Sequence, residues 1–323
     1  MSSISTIGVL TSGGDAPGMN AAVRAVVRAG IYYGFKVLGV HKGYEGLLHG
    51  DMDELKLRSV GDIIQRGGTV LQTARSAEFT TQAGLEKAIS MAGVFGLDAL
   101  IVIGGDGSYR GARELARRGL PVMGIPGTID NDIACTEYTI GYDTAMNTAL
   151  DAIDKIRDTS YSHERCSVME VMGRNAGWIA LNCGIAGGAE AVIIPEKKFD
   201  IDKDIIYPII EGRNRGKKNY LVIIAEGVGG ALDIAKYIEE KTDIITRATI
   251  LGHIQRGGSP TLTDRVMGSR MGAYAVELLK KDIVNRIIAV QNGKVVDIDI
   301  EEALNMKKSI DEELISLGKI LAL

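Results

Sequence analysis

Short, nearly unbroken apolar runs recur along the chain, and between them apolar positions return every three or four residues. The short runs are TIGVLT (6–11), KVLGV (36–40), ALIVIGG (99–105), PVMGIP (121–126), SVMEVMG (167–173), AVIIPE (191–196), YLVIIAEG (220–227) and ATILGH (248–253). Their length and β-branched content predict strands. The longer stretches AAVRAVVRAGIYY (21–33), GLEKAISMAGVFG (84–96), GARELARRG (111–119), NTALDAIDKIRDT (147–159) and DRVMGSRMGAYAVELLKK (264–281) predict helices. Strands this apolar, alternating with helices, imply parallel sheets covered on both faces, and so an α/β fold class. A late hairpin stands apart: in IIAVQNGKVVDI (287–298), Asn292-Gly293 supplies the two positive φ angles of a tight turn.

So many strands point to two sheets rather than one very wide one, and so to two lobes, with a boundary near residue 140. No glycine- or proline-rich linker, repeat or low-complexity segment marks that boundary. In doubly wound folds ligands sit beyond the carboxyl ends of strands. The polar clusters fall there: TSGGDAPG after the first strand, GGDGS after ALIVI, GTIDND after PVMGIP, MGRNAG after SVMEV and AEG after YLVII. Five such clusters predict a pocket.

Composition narrows what that pocket can hold. The 323 residues are 46% hydrophobic, enough for a large core, and carry a formal charge of −4. With 37 basic against 41 acidic side chains, nothing suggests a generic nucleic-acid or membrane surface, so anion binding must come from local arginines. Three cysteines without CxxC pairing, Cys135, Cys166 and Cys183, suit a reducing cytoplasm, the expected location, and the latter two read as core. The start MSSISTIGVLTSGGD has neither the basic nor the long apolar region of a signal peptide. No apolar run is long enough for a transmembrane helix.

The clusters then carry the chemistry. In TSGGDAPGMN, Gly13 and Gly14 allow close backbone approach and Pro17 suits a first helical turn. The segment reads either as an anion site at a helix N-terminus or as a plain βα turn capped by Asp15. It matches neither GxxxxGK[ST] nor GxGxxG. In GGDGS (104–108), three glycines leave room for phosphates, and Asp106 is a candidate Mg2+ ligand or a helix cap. In GTIDNDI (127–133), Asp130 can take a proton from an acceptor hydroxyl, with Thr128 beside it to hold an oxygen. An Asx turn explains one Asp-Asn there; Asp132 is left to pair with an arginine or to assist a metal. Arg75, Arg165, Arg174, Arg247 and Arg256 lie near glycines or strand ends and can bind phosphate with two-pronged forks. His253 suits a sugar hydroxyl, a phosphate or a backbone carbonyl, and Trp178 suits helix packing. Four histidines without HxxxH or HExxH spacing speak against zinc.

Taken in order, TSGGDAPGMNAA, QRGGT with TAR, IGGDGSYRGA, PGTIDNDI, VMGRNAG, AEG and GHIQRGGSP resemble the bacterial ATP-dependent 6-phosphofructokinases over essentially the whole chain. The resemblance implies two doubly wound lobes, each a mostly parallel sheet flanked by helices: residues 1–140 with 254–304 for ATP, and 141–253 with 305–323 for fructose 6-phosphate. It implies that Gly14, Arg75, Ser76, Gly105, Asp106, Gly107 and Ser108 contact ATP, with Asp106 serving Mg2+. Asp130 would be the base at the sugar 1-hydroxyl, with Thr128 and Arg174 also catalytic. Ile129, Asp132, Met172, Gly173 and Glu226 would surround the sugar, and His253 and Arg256 would grip its 6-phosphate. Arg165 and Arg247 would reach that phosphate from a neighbouring subunit, which implies a homotetramer.

The activity implied is transfer of the ATP γ-phosphoryl to fructose 6-phosphate, the committed step of glycolysis. Pyrophosphate-dependent relatives typically carry Asp where this chain has Gly107 and Lys where it has Gly127. Glycine at both therefore favours ATP over the pyrophosphate-dependent alternative. A regulatory subunit without catalysis is the other alternative, and it predicts a missing base or metal carboxylate. Bacterial members also bind ADP and phosphoenolpyruvate between subunits. The matching positions are Arg24, Arg28, Arg58, Arg157, Gly188, Glu190, Arg215, Lys217 and Asn219, the last where many members have histidine. Arg24 and Arg28, four apart, share a helix face.

Overall fold

A computed structural model describes residues 4–322. Met1–Ser3, where the segment read for a targeting signal begins, and Leu323 lie outside the described residues. In chain order the elements are β1 (Thr6–Thr11), α1 (Met19–Tyr32), β2 (Lys36–Val40), α2 (Tyr44–His49), β3 (Met52–Glu54), α3 (Gln82–Val94), β4 (Ala99–Gly104), α4 (Asp106–Ala116), β5 (Val122–Pro126) and α5 (Tyr142–His163). They continue with β6 (Cys166–Val171), α6 (Trp178–Gly187), β7 (Ala191–Ile193), α7 (Tyr207–Asn214), β8 (Tyr220–Ala225), α8 (Ala231–Thr242) and β9 (Thr246–Ile250). The last are α9 (Leu262–Lys280), β10 (Arg286–Gln291), β11 (Lys294–Asp299), α10 (Ile300–Asn305) and α11 (Glu312–Leu321).

The chain divides into two units. The first holds the described residues up to Ile129, then Ile133–Thr144 and Arg256–Lys308. The second holds Asp130–Asp132, Ala145–Gln255 and the residues from Ser309 onward.

In the first unit one sheet runs in the order β11-β10-β5-β4-β1-β2-β3. Its inner strands pair in parallel, and β11 and β3 close the two edges antiparallel. The apolar runs are buried on both sides: Leu10, Leu100 and Val102 on one face, and Val9, Ile101 and Ile103 on the other, have no exposed surface. Each such side chain contributes about 1.5–3 kcal/mol on burial. Helices α1 and α9 meet through small residues. A Cβ on Gly272 would lie 2.7 Å from the Ala22 carbonyl oxygen, and one on Gly268 3.0 Å from the Gly18 oxygen. The hairpin turns at Asn292 (φ 51°) and Gly293 (φ 71°), as the sequence requires.

In the second unit β7-β8-β6-β9 form a sheet that is parallel throughout. Val168, Val222, Ile224 and Ile205 make its core. Cys166 and Cys183 are buried as expected, and burial pushes both thiols up to about 12.

Several local expectations shift. Pro17 lies outside α1, which opens at Met19 after Gly18 (φ 106°), and no side chain caps it, Asp15 included. Helix α4 starts at Asp106, in keeping with its place at a helix start, and so reaches back beyond the periodic stretch 111–119, because Gly107 and Gly111 interrupt the apolar period there. Helix α5 starts at Tyr142 rather than 147. Its first turn is satisfied from afar, with Thr144 N–H donating to Asp264 Oδ2 at 2.8 Å. Strand β7 stops at Ile193, two residues before Pro195. Among the described residues no helix is long and apolar enough to cross a membrane.

Candidate active site

The five polar clusters divide between the two sheets: three follow β1, β4 and β5, and two follow β6 and β8.

Strands β1, β4 and β5 are parallel neighbours, so their exit loops share one edge of the first sheet. The glycines of GGDGS have different duties. A Cβ on Gly104 would lie 2.5 Å from the Ser12 carbonyl oxygen and 2.6 Å from Ser108 Oγ, so the fold itself demands glycine there. Gly105 and Gly107 would meet nothing within 4 Å. They leave bare backbone open at the start of α4, where N–H groups and the helix dipole favour an anion. Asp106 is the first residue of α4, half exposed, and accepts from Arg110 Nε at 2.8 Å. An exposed pair of this kind contributes only about 0.3–0.5 kcal/mol, so a cation can displace the arginine at little cost.

Around that edge the loops are pinned. Ser108 is buried, and its carbonyl oxygen accepts from Tyr44 OH at 2.5 Å. Tyr44 stacks on Phe79 with ring centroids 3.9 Å apart. Phe79 N–H donates to Ser76 Oγ at 3.2 Å, so the segment bearing exposed Arg75 is fixed to the same aromatic pair. Thr73 Oγ1 donates to the Gly13 oxygen at 2.8 Å. Buried Asn20 holds the QRGGT loop, donating to the Arg66 oxygen at 3.0 Å and accepting from Val70 N–H at 2.8 Å. Arg256 belongs to this unit, with its guanidinium 3.0 Å from where a Gly14 Cβ would be.

Thr128 is held by the return limb of its loop, donating N–H to the Ile140 oxygen at 3.1 Å and accepting from Thr139 Oγ1 at 2.7 Å. Asp264 fixes that limb in turn. Fully buried, it accepts from Gly141 N–H at 2.6 Å, Tyr138 OH at 2.5 Å and Thr144 Oγ1 at 2.5 Å as well as Thr144 N–H. Burial raises its carboxyl above the usual range, although these donors pull the other way. Gly127 has a packing reason of its own, since a Cβ would lie 3.0 Å from Met19 Cε and 3.1 Å from Ile103 Cγ2.

In the second unit Asp130 is 8% exposed while Asp132 is exposed. The left-handed turn falls on Asn131 (φ 50°), leaving both aspartates in ordinary backbone. Met172 and Gly173 are buried and Arg174 is exposed after β6, and Glu226 follows β8. His253 is exposed on the turn Gly252–Arg256 after β9. Arg165 and Arg247 lie elsewhere: they open β6 and β9, while Met172 and His253 follow the far ends of those strands. That separation is roughly 20 Å of extended chain.

Of the positions that the resemblance offers for effectors, Arg157, Gly188, Glu190, Lys217 and Asn219 belong to the second unit. Arg157 donates to the Gly187 and Gly188 oxygens, and Lys217 pairs with buried Glu190. Arg157, Glu190 and Asn219 line one small cavity. Arg215 pairs with Glu211 at 3.8 Å at the end of α7. Arg24, Arg28 and Arg58 belong to the first unit. Tyr44, Asn20, Arg110 and Asp264 escaped sequence reasoning; most of their partners lie more than forty residues away, and only the i, i+4 spacing of Asp106 and Arg110 was a visible signal.

This is the α/β class that holds ligands at the carboxyl ends of parallel strands. Within that class the chain belongs to the phosphofructokinase family, whose model, described as "Phosphofructokinase", matches residues 6–279. It is 59% identical over 317 residues to an ATP-dependent 6-phosphofructokinase of Clostridium botulinum, covering 98% of this chain and 99% of that one. The protein of the same name from Alkaliphilus metalliredigens is 56% identical over 318 residues, with the same coverage of both chains. Phosphofructokinase from Saccharomyces cerevisiae superposes with a TM-score of 0.86 at 35% identity, over 98% of this chain. The chain spans about half, 48%, of that longer yeast chain.

Proposed function

We propose that the protein transfers the γ-phosphoryl group of ATP to the 1-hydroxyl of fructose 6-phosphate, giving fructose 1,6-bisphosphate and ADP in the committed step of glycolysis. The observation that carries this reading is the open, glycine-flanked start of α4 with Asp106 exposed on it. Near-full-length identity to relatives named for the reaction supports it.

The nucleotide lies along Gly14, Arg75, Ser76 and Gly105–Ser108, with Gly105 and Gly107 giving its phosphates access to backbone N–H groups. Asp106 is the side chain suited to Mg2+, which takes one or two carboxylates together with phosphate oxygens. Among the described residues no group of three or more His, Cys, Asp or Glu side chains could hold a metal. When bound, Mg2+ supplies neutralisation of phosphate charge.

The sugar side is met by Thr128, Ile129, Asp130, Asp132, Met172, Gly173, Arg174 and Glu226, with His253 and Arg256 for the 6-phosphate. The 1-hydroxyl oxygen bonds to the γ-phosphorus as the bond to the β–γ bridging oxygen breaks and leaves with ADP. Asp130 takes the hydroxyl proton, and Arg174 offsets the charge on the moving phosphoryl. Gly107 and Gly127 favour ATP as donor. A homotetramer would bring Arg165 and Arg247 from a neighbouring subunit to the 6-phosphate. ADP and phosphoenolpyruvate are the effectors to expect at the Arg157–Glu190–Lys217 cluster with Arg24, Arg28 and Arg58, and the cytoplasm is the location.

The test is Asp130→Ser. Its kcat should fall by about 10²–10⁴ while fructose 6-phosphate binding, read by calorimetry, stays within about threefold. Near-native turnover in that variant would remove Asp130 from the mechanism.

A further inference from the structure

All four strands of the second sheet are parallel, so the segments leaving their carboxyl ends lie side by side. One of them, Met172–Gly177 after β6, carries Arg174, and four of its backbone N–H groups donate to side chains from the other three. Met172 N–H donates to Gln255 Oε1 at 2.8 Å, from the turn after β9. Gly173 and Arg174 N–H donate to Glu226 Oε1 at 3.2 and 2.5 Å, after β8. Gly177 N–H donates to Glu196 Oε1 at 2.8 Å, after β7.

The packing is as tight as the bonding. A Cβ on Gly177 would lie 2.5 Å from Ile194 Cβ and 2.8 Å from Glu196 Oε2. One on Gly227 would lie 2.4 Å from the Arg174 oxygen. Gln255 has no exposed surface, and its Nε2 has no protein partner, so within the protein this buried side chain serves only its bond to Met172.

Arg174 explains why such a brace is needed. It is exposed yet sits at φ 56°, a left-handed conformation that costs a non-glycine residue about 1–3 kcal/mol and persists only where its surroundings enforce it. A loop left to itself would relax, and the guanidinium would move with it.

We propose that Glu196 and Gln255 are positioning residues, which hold the Met172–Gly177 loop at its two ends so that Arg174 keeps its left-handed backbone and its aim at the transferring phosphoryl. This rests on the role given to Arg174 above.

Three variants test it: Glu196→Ala, Glu196→Gln and Gln255→Met. Each is measured for amide hydrogen exchange of the peptide covering 172–177, thermal midpoint, and kcat and KM with ATP and fructose 6-phosphate. Glu196 is exposed, so its variants should fold, whatever happens to the buried Gln255→Met.

In Glu196→Ala the exchange of that peptide should rise and kcat fall by about ten- to a hundredfold, with KM for ATP and the thermal midpoint little changed. Glu196→Gln keeps an acceptor oxygen for Gly177 N–H and should recover most of both. Unchanged exchange in Glu196→Ala overturns the proposal. So does faster exchange with kcat within about twofold of wild type, or glutamine performing no better than alanine. A wild type without turnover would strike the reaction rather than the brace, which the exchange result decides by itself.

Discussion

A single methylene separates glycine from alanine, and in GGDGS that difference sorts residues by duty. Gly104 is occupied by the fold, because a Cβ there would lie 2.5 Å from the Ser12 oxygen and 2.6 Å from Ser108 Oγ. Gly105 and Gly107 face open space, where a Cβ would meet nothing within 4 Å. Asp264 is the counterpart among charged residues. Its carboxyl is raised above its ordinary 3.8 by burial, so the folded chain keeps the proton over a pH range in which the unfolded chain has released it. Stability from this group is thus fully present below pH 3.8 and is lost as pH rises through the folded value. Thermal midpoints of wild type and Asp264→Asn across that range should show wild type losing ground to the variant as pH increases. A gap that stays flat or grows would contradict the assignment.

At the scale of elements, β1, β2, β4, β5, β6 and β8 were legible because each is a short apolar run with almost every residue buried, and the hairpin because Asn292-Gly293 permits few alternatives; the short polar β3 left no such trace. Helix starts were not. Helix α5 begins at Tyr142 because Asp264, more than a hundred residues on, accepts from Thr144 N–H, and nothing near Tyr142 announces that. Helix α8 and the short α2 and α10 hide behind polar or glycine-broken periods, so the pattern of apolar positions passes over them. The candidate site divides in the same way. Residues inside a motif, such as Asp106, Asp130 and Arg174, could be named from the sequence. Glu196 and Gln255 act through contacts between loops after different strands, and only the parallel order β7-β8-β6-β9 brings them to one place.

For the whole molecule, the placement of Arg165 and Arg247 matters most. Both stand at the amino ends of strands whose carboxyl ends lead to residues proposed for the sugar phosphate, roughly 20 Å of extended chain away. If they act on that phosphate they act in a neighbouring subunit, so the active form is an oligomer. Arg165→Ala and Asp130→Ser, each inactive alone, should therefore complement when mixed and reassembled. Random mixing of equal amounts would restore about a quarter of the sites. Confirmed hybrids with no activity would place Arg165 outside the site.

The reaction itself is open to direct measurement in a coupled assay of the purified protein with fructose 6-phosphate and Mg2+, run in parallel with ATP and with pyrophosphate. Fructose 1,6-bisphosphate should form with ATP and not with pyrophosphate. Strong turnover with pyrophosphate, or none with either donor, would contradict the account.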